Sequence, residues 1–254
     1  EEDKRLPELY KLNPKAFEKE ISHSKKALLR ELDEFIISEK PSESFIHIAL
    51  SNINYNYYSR KELYLSSKKV VSSHKQILYP ENFFTYRDSI QLNDNTLKNY
   101  YTYYQFINRY LDNLADDGHK KEETFFNKTS YEHQTQKLRL IDSLITNKQL
   151  HDNLLHNTVK RYLVHADDSQ KERDLVALFK KLDHNEAHQK EVERYAHNTA
   201  KINAGELIPN LALITGNNKI ISLQKINASK TVFFFWNSKS VKHYKEIHVR
   251  IADL

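Results

Sequence analysis

The chain has 254 residues and a net charge of +5, with no Cys, no Met, 3 Gly and 5 Pro against 16 Tyr and 12 Phe. That is long enough for one or two domains with a real core. Zero Cys excludes disulfides, thiolate metal sites, iron–sulfur ligation and a cysteine nucleophile, and three Gly are too few for a phosphate-cradling loop.

In chain order, Asn13 before Pro14 forms an N-cap with proline at the first helical position. Phe17, Ile21, Leu28, Leu32, Phe35 and Ile36 then recur at helical spacing, which predicts a helix from Pro14 to Glu39. Pro41 opens a second helix, with Ser42 or Lys40 at its start and Phe45, Ile48, Ala49 and Ile53 on one face, running on through Tyr55, Tyr57 and Tyr58. Between Pro80 and Gly205 there is no Pro and a single Gly, Gly118, so long helical runs are expected there. Leu97–Leu114 carries a stripe of Tyr100, Tyr101, Tyr104, Ile107, Tyr110 and Leu111, ended by Gly118. Tyr131–Thr146 repeats it with Leu138, Ile141, Leu144 and Ile145, and Asn147–Val164 with Leu150, Leu154, Leu155, Val159, Tyr162 and Leu163. Ser169 is a cap candidate before Leu175, Leu178, Phe179 and Leu182. Asn185–Ile202 reads as a polar helix anchored by Val192 and Tyr195. Residues 1–203 thus form a helical domain without the fixed period of a tetratricopeptide solenoid.

After Asn203 the pattern changes. Gly205 and Pro209 precede a short apolar run, Leu211–Ile214, then a turn, Thr215-Gly216-Asn217-Asn218, and a second strand, Ile220–Leu223. Thr231–Trp236 is a continuous apolar strand suited to burial on both faces, and Val241–Leu254 returns to helical spacing. Residues 204–254 are therefore a second domain, and the expected class is mainly α with an α/β portion at the end.

Three segments of that portion, Gly205-Glu-Leu-Ile-Pro209, Asn217-Asn-Lys-Ile-Ile-Ser-Leu223 and Lys230-Thr-Val-Phe-Phe-Phe-Trp236-Asn-Ser238, stand in an order and spacing that resembles the opening of a thioredoxin-like domain of the TlpA/ResA kind. The helical region is similar to the one preceding that module in many Bacteroidota envelope proteins. The resemblance places Ser240 and His243 where the family keeps the two cysteines of its redox motif. A serine hydroxyl has no accessible anion and cannot be exchanged for a disulfide, so thiol–disulfide chemistry is excluded here and, with no Cys, throughout the chain. About 50 residues follow Gly205, fewer than the family's fold needs. Either the chain is a fragment, the preferred expectation, or a partner supplies the missing sheet. Zero Met implies that Glu1 follows a processed or cut N-terminus, so that a secretory or lipoprotein signal is expected to have preceded it.

Other candidate chemistry is sparse. Ser240, His243 and Glu246 follow a Ser–His–acid order but stack along one helix axis without oxyanion donors, so a capping serine and a surface histidine are expected. His184 and His188, at i and i+4, have the spacing of a metal-binding helix without its His-Glu-x-x-His order; solvated histidines are expected, and the pair is the one metal candidate. Asp116–Asp117 and Asp167–Asp168 read as helix-terminus or turn residues, and the sequons at Asn127 and Asn227 carry no meaning in a bacterial protein. Basic pairs such as Lys25–Lys26, Lys68–Lys69, Lys120–Lys121 and Lys180–Lys181 are scattered among 34 acidic residues, as on solvated helix faces rather than a phosphate-binding track. Tyr57, Tyr58, Tyr100, Tyr101, Tyr103 and Tyr104 pack between helices or, where exposed, serve with Trp236 as partner contacts.

The function expected is that of a redox-inactive thioredoxin-like protein of the periplasm or outer-membrane-associated envelope. It would act as a binding module or accessory subunit for protein partners, with no cofactor, no nucleic acid, and a membrane reached only through a lipid anchor or partner. The alternatives are a hydrolase-like enzyme in the helical domain and a basic helical RNA-binding protein.

Overall fold

The computed structural model describes residues 7–71, 77–117, 127–166, 168–199, 210–226 and 231. The chain is mainly helical, with a small antiparallel two-stranded sheet. It divides into two compact units, Glu1–Gly205 and Glu206–Leu254.

Helix α1 spans Pro14–Glu39, the bounds its sequence predicts. Asn13 Oδ1 accepts the Ala16 N–H at 2.9 Å, and proline at N1 costs no hydrogen bond there. At the far end Lys40 adopts a left-handed conformation (φ 47°) and donates its N–H to Ile36 O at 3.1 Å; Pro41 cannot continue the helix. Helix α2, Glu43–Val71, begins where Ser42 Oγ accepts the Phe45 N–H at 3.3 Å.

Helix α3 is Tyr101–Asp117, four residues shorter at its start than the apolar stripe suggests. Asp94 diverts the chain: its carboxylate accepts the Thr96 N–H at 2.7 Å, and Leu97–Tyr100 closes as a separate turn. Leu97 is buried even so. Apolar spacing reports burial; it does not fix helical hydrogen bonding.

Helix α4, Tyr131–Leu144, starts at a Ser130 cap and stops at Ile145, whose backbone is extended. Helix α5, Lys148–His165, is capped by Asn147. Helix α6 is Ser169–Leu182, and its cap is Asp168 rather than Ser169: the carboxylate accepts the Gln170 and Lys171 N–H groups at 2.8 and 3.1 Å. A carboxylate also meets the positive end of the helix dipole, which a hydroxyl does not. Helix α7 is Glu186–Thr199, its first N–H groups held by Asn185 Oδ1.

Each helix packs on the next, and α5 also touches α7 while α4 touches α6. The main core runs from Tyr55 on α2 through Phe106, Ile107 and Leu111 on α3, Leu138 and Ile141 on α4 and Leu154, Leu155 and Val159 on α5 to Phe179 on α6 and Val192 on α7. A smaller core under α1 gathers Phe17, Ile21, Tyr64, Leu65 and Phe83, with Phe17 stacked on Tyr64 at 3.9 Å. The segment before α3 clamps the α4–α5 turn: Asn93 donates to Leu144 O at 3.0 Å and accepts the Thr146 N–H at 2.7 Å.

In the second unit β1, Ala212–Ile214, pairs antiparallel with β2, Ile220–Ser222, in the register Leu213 with Ile221. Asn218 makes the turn at φ 59°, a conformation its short polar side chain tolerates. The rest of the predicted thioredoxin-like portion, including Gly205, Pro209, the strand from Val232 to Trp236 and the helix 241–254, lies outside the described residues, as do Gly118, Lys120–Lys121, Asp167 and the Asn227 sequon.

Candidate functional site

Three groups of ionisable side chains are enclosed in the helical unit. The first joins α1, α2, the segment before α3, and α3 itself. Glu62 is completely buried. Its Oε1 accepts from Tyr86 Oη at 2.5 Å and Arg87 Nε at 2.9 Å, and its Oε2 from an Arg87 guanidinium nitrogen at 2.8 Å and Asn113 Nδ2 at 2.6 Å. Burial, and then the Glu62 charge, push the Tyr86 phenol far above its ordinary value. One turn-step away, Lys61 reaches Glu18 at 3.1 Å and lies over the ring of Phe83 at 4.3 Å. Burial lowers the Lys61 ammonium and Glu18 partly restores it.

The second group joins α3, α4 and α5. Asp112 meets Lys137 at 2.5 Å, His133 at 3.4 Å and Arg161 at 3.6 Å. Burial raises the carboxyl, but Lys137 and His133 outweigh it and hold Asp112 below the usual carboxylate range. Asp112 and His133 have the pairing of a general-base dyad. Both side chains are only 2% exposed, and the pair faces inward between α3 and α4.

The third group ties α5 to α7. The imidazoles of His156 and His188 stack 4.3 Å apart with planes 10° from parallel. His188 Nδ1 lies 2.9 Å from Asp183, itself fully buried. His156 Nε2 is 3.1 Å from Glu191 but off hydrogen-bond alignment; Lys160 takes the other oxygen of Glu191 at 2.7 Å. Burial and the neighbouring His188 both lower the His156 imidazole.

This stack includes one of the two histidines of the metal candidate, His184 and His188. His184 precedes α7 instead of lying on it, because Asn185 caps the helix. His184 is exposed, and His188 turns away to meet His156. The neighbours of His188 are Asp183 and His156, from outside the His184–His188 pair. Among the described residues no three His, Cys, Asp or Glu side chains gather as a metal site.

The tyrosines divide by helix face. Tyr103 is buried; its Oη donates to Gln91 O at 2.7 Å and accepts the Asp94 N–H at 3.1 Å, so it is a core residue and not a partner contact. Tyr57 is half-buried and donates to Glu18, while Tyr58 stacks on Tyr86 at 4.9 Å. Tyr104 is half-buried and accepts from Asn157 at 2.7 Å. Tyr100 and Tyr101 are exposed. The 100° step between successive helical residues puts Tyr101 and Tyr103 on opposite sides of α3. Asp116 pairs with Lys69 at 2.6 Å, and Asn127 forms an Asx turn with Thr129. Ser240, His243 and Trp236 lie outside the described residues.

The buried carboxylates and their partners were not legible in the sequence: Glu62 with Arg87 and Asn113, and Asp112 with Lys137 and Arg161, lie on different elements, far apart in the chain. Lys61, a charged residue next to the Tyr57–Tyr58 pair, was the nearest signal.

These features define a mainly helical protein in which the enclosed carboxylates of Glu62 and Asp112 are matched within its own fold. No protein-family model, curated protein or solved structure matches the chain. Among the described residues no helix is long and apolar enough to cross a membrane.

Proposed function

We propose that this chain is a non-catalytic binding module of the bacterial cell envelope, an accessory subunit whose thioredoxin-like portion has no redox chemistry. The observation that carries the reading is how completely two enclosed carboxylates, Glu62 and Asp112, are used. Every oxygen of Glu62 is engaged by its own chain, and Asp112 is held by Lys137, His133 and Arg161. Groups committed in this way hold helices together and have no capacity left for a reacting atom. The absence of Cys from the whole sequence removes thiol exchange.

The test is the full protein at native level in its own host. As an accessory subunit it elutes from a detergent-solubilised envelope in a complex well above the mass of its own chain, and it leaves insulin reduction at background. Elution as a free monomer, or a turnover of thiol, ester or peptide substrates by the purified protein, overturns the reading.

A further inference from the structure

The hairpin of α1 and α2 carries a surface that the fold does not use. Between Ile21 and Tyr55 a single residue, Leu32, is buried, so the hairpin projects beyond both cores. Its end nevertheless bears large apolar groups. Phe35 and Phe45 face each other across the turn at 5.5 Å and are 42% and 45% exposed; Ile37 is 77% exposed. Leu28 and Leu50, lower on the two helices, are exposed too.

The charge around these groups runs against the rest of the molecule. From Glu31 to Phe45 stand five carboxylates, Glu31, Asp33, Glu34, Glu39 and Glu43, and one cation, Lys40, in a chain whose net charge is +5. Glu34 reaches only Arg30, at 3.9 Å, and the other four carboxylates make no ion pair among the described residues. An aromatic centre inside a charged rim is the anatomy of a protein–protein interface.

We propose that this tip docks an amphipathic helix of a partner protein, with aliphatic side chains seated on Phe35, Ile37 and Phe45 and lysines or arginines meeting the carboxylate rim. The inference rests on the reading of the chain as a binding module. Charge complementarity selects this occupant: the rim repels phosphate-bearing surfaces and anionic bilayers, and it repels the same rim on a second copy. Close pairing of two tips would set five carboxylates against five.

The test uses the full chain and two labelled peptides of about five helical turns, each with leucine on one face. One has lysine on the other face, and the second has glutamate. The lysine peptide binds saturably, and its affinity falls as salt rises from about 50 to 300 mM; the glutamate peptide does not bind. I37S, at a side chain too exposed to support the fold, weakens binding about tenfold or more. F45S does the same with the helical circular dichroism unchanged.

Equal binding of both peptides overturns the proposal, as does indifference to I37S. So does tip-dependent binding to zwitterionic phosphatidylcholine vesicles, or a dimer that I37S dissolves. The two readings fail separately. If the parent chain does not bind the lysine peptide, while I37S and F45S leave it in its envelope complex, the tip proposal alone fails. A substrate turnover removes the binding-module reading whatever the peptides do.

Discussion

Arg87 grips Glu62 with both prongs of its guanidinium, at 2.9 and 2.8 Å, and so fastens the segment before α3 to the middle of α2. The carboxylate is wholly enclosed, whereas the arginine is 20% exposed. The pair therefore fixes where one element sits more than it adds net stability, because desolvating both charges offsets much of their attraction.

Removing one partner exposes that balance. E62Q keeps the shape and strands Arg87, at a cost of about 3 kcal/mol, seen as a lower urea midpoint with an unchanged m value. E62L combined with R87M recovers only part of the loss: neither charge is then left alone, but the buried Tyr86 hydroxyl loses its acceptor. A single variant within about 0.5 kcal/mol of the parent would remove the pair's structural role.

Asp112 sets an acid limit. Burial raises its carboxyl, Lys137 and His133 bring it below the ordinary value, and the net shift is downward. A carboxyl lowered by folding contributes stability that is complete above its unfolded value of about 3.9 and is lost as pH falls through the folded one. Thermal melts of the parent therefore steepen below about pH 4. D112L with K137M should give a flatter acid limb at similar neutral-pH stability.

His156 acts in the opposite chemical sense but in the same pH direction. Burial first and His188 second lower its imidazole, so the unfolded chain takes up the proton sooner. Stability is full above about pH 6.5 and falls as pH drops from there toward the folded value, with a slope of at most about 1.4 kcal/mol per pH unit from this group. H156Q flattens the melting temperature below about pH 6.5. An unchanged profile in that variant would assign the dependence elsewhere.

The projecting hairpin depends on one buried anchor. L32A removes the only enclosed side chain between Ile21 and Tyr55, costing about 2–3 kcal/mol locally. Amide exchange should speed up in residues 28–50 while protection in α5 and α6 stays as it was. Equal loss everywhere would show that the hairpin opens only with the whole unit.

The sequence by itself determined the helices where local chemistry speaks. Asn13–Pro14 starts α1 and Pro41 stops it; Asn147 caps α5; the Leu211–Leu223 alternation folds into a hairpin. Each of those signals acts within a few residues, through a cap, a ring that removes a donor, or an alternating face. Ser169 yielded to Asp168 for an equally local reason, since two caps competed and the anionic one won. Tertiary structure alone decided which of the tyrosines at 100, 101, 103 and 104 enters the core and whether His188 answers to His184 or His156. It also decided that Glu62 and Asp112 are enclosed by partners from other helices, and that the apolar residues at the α1–α2 tip stay in water. The identity and spacing of a residue fix its chemistry and its helical face. The partner of a buried charge, and the absence of one for an exposed ring, depend on which helices pack side by side.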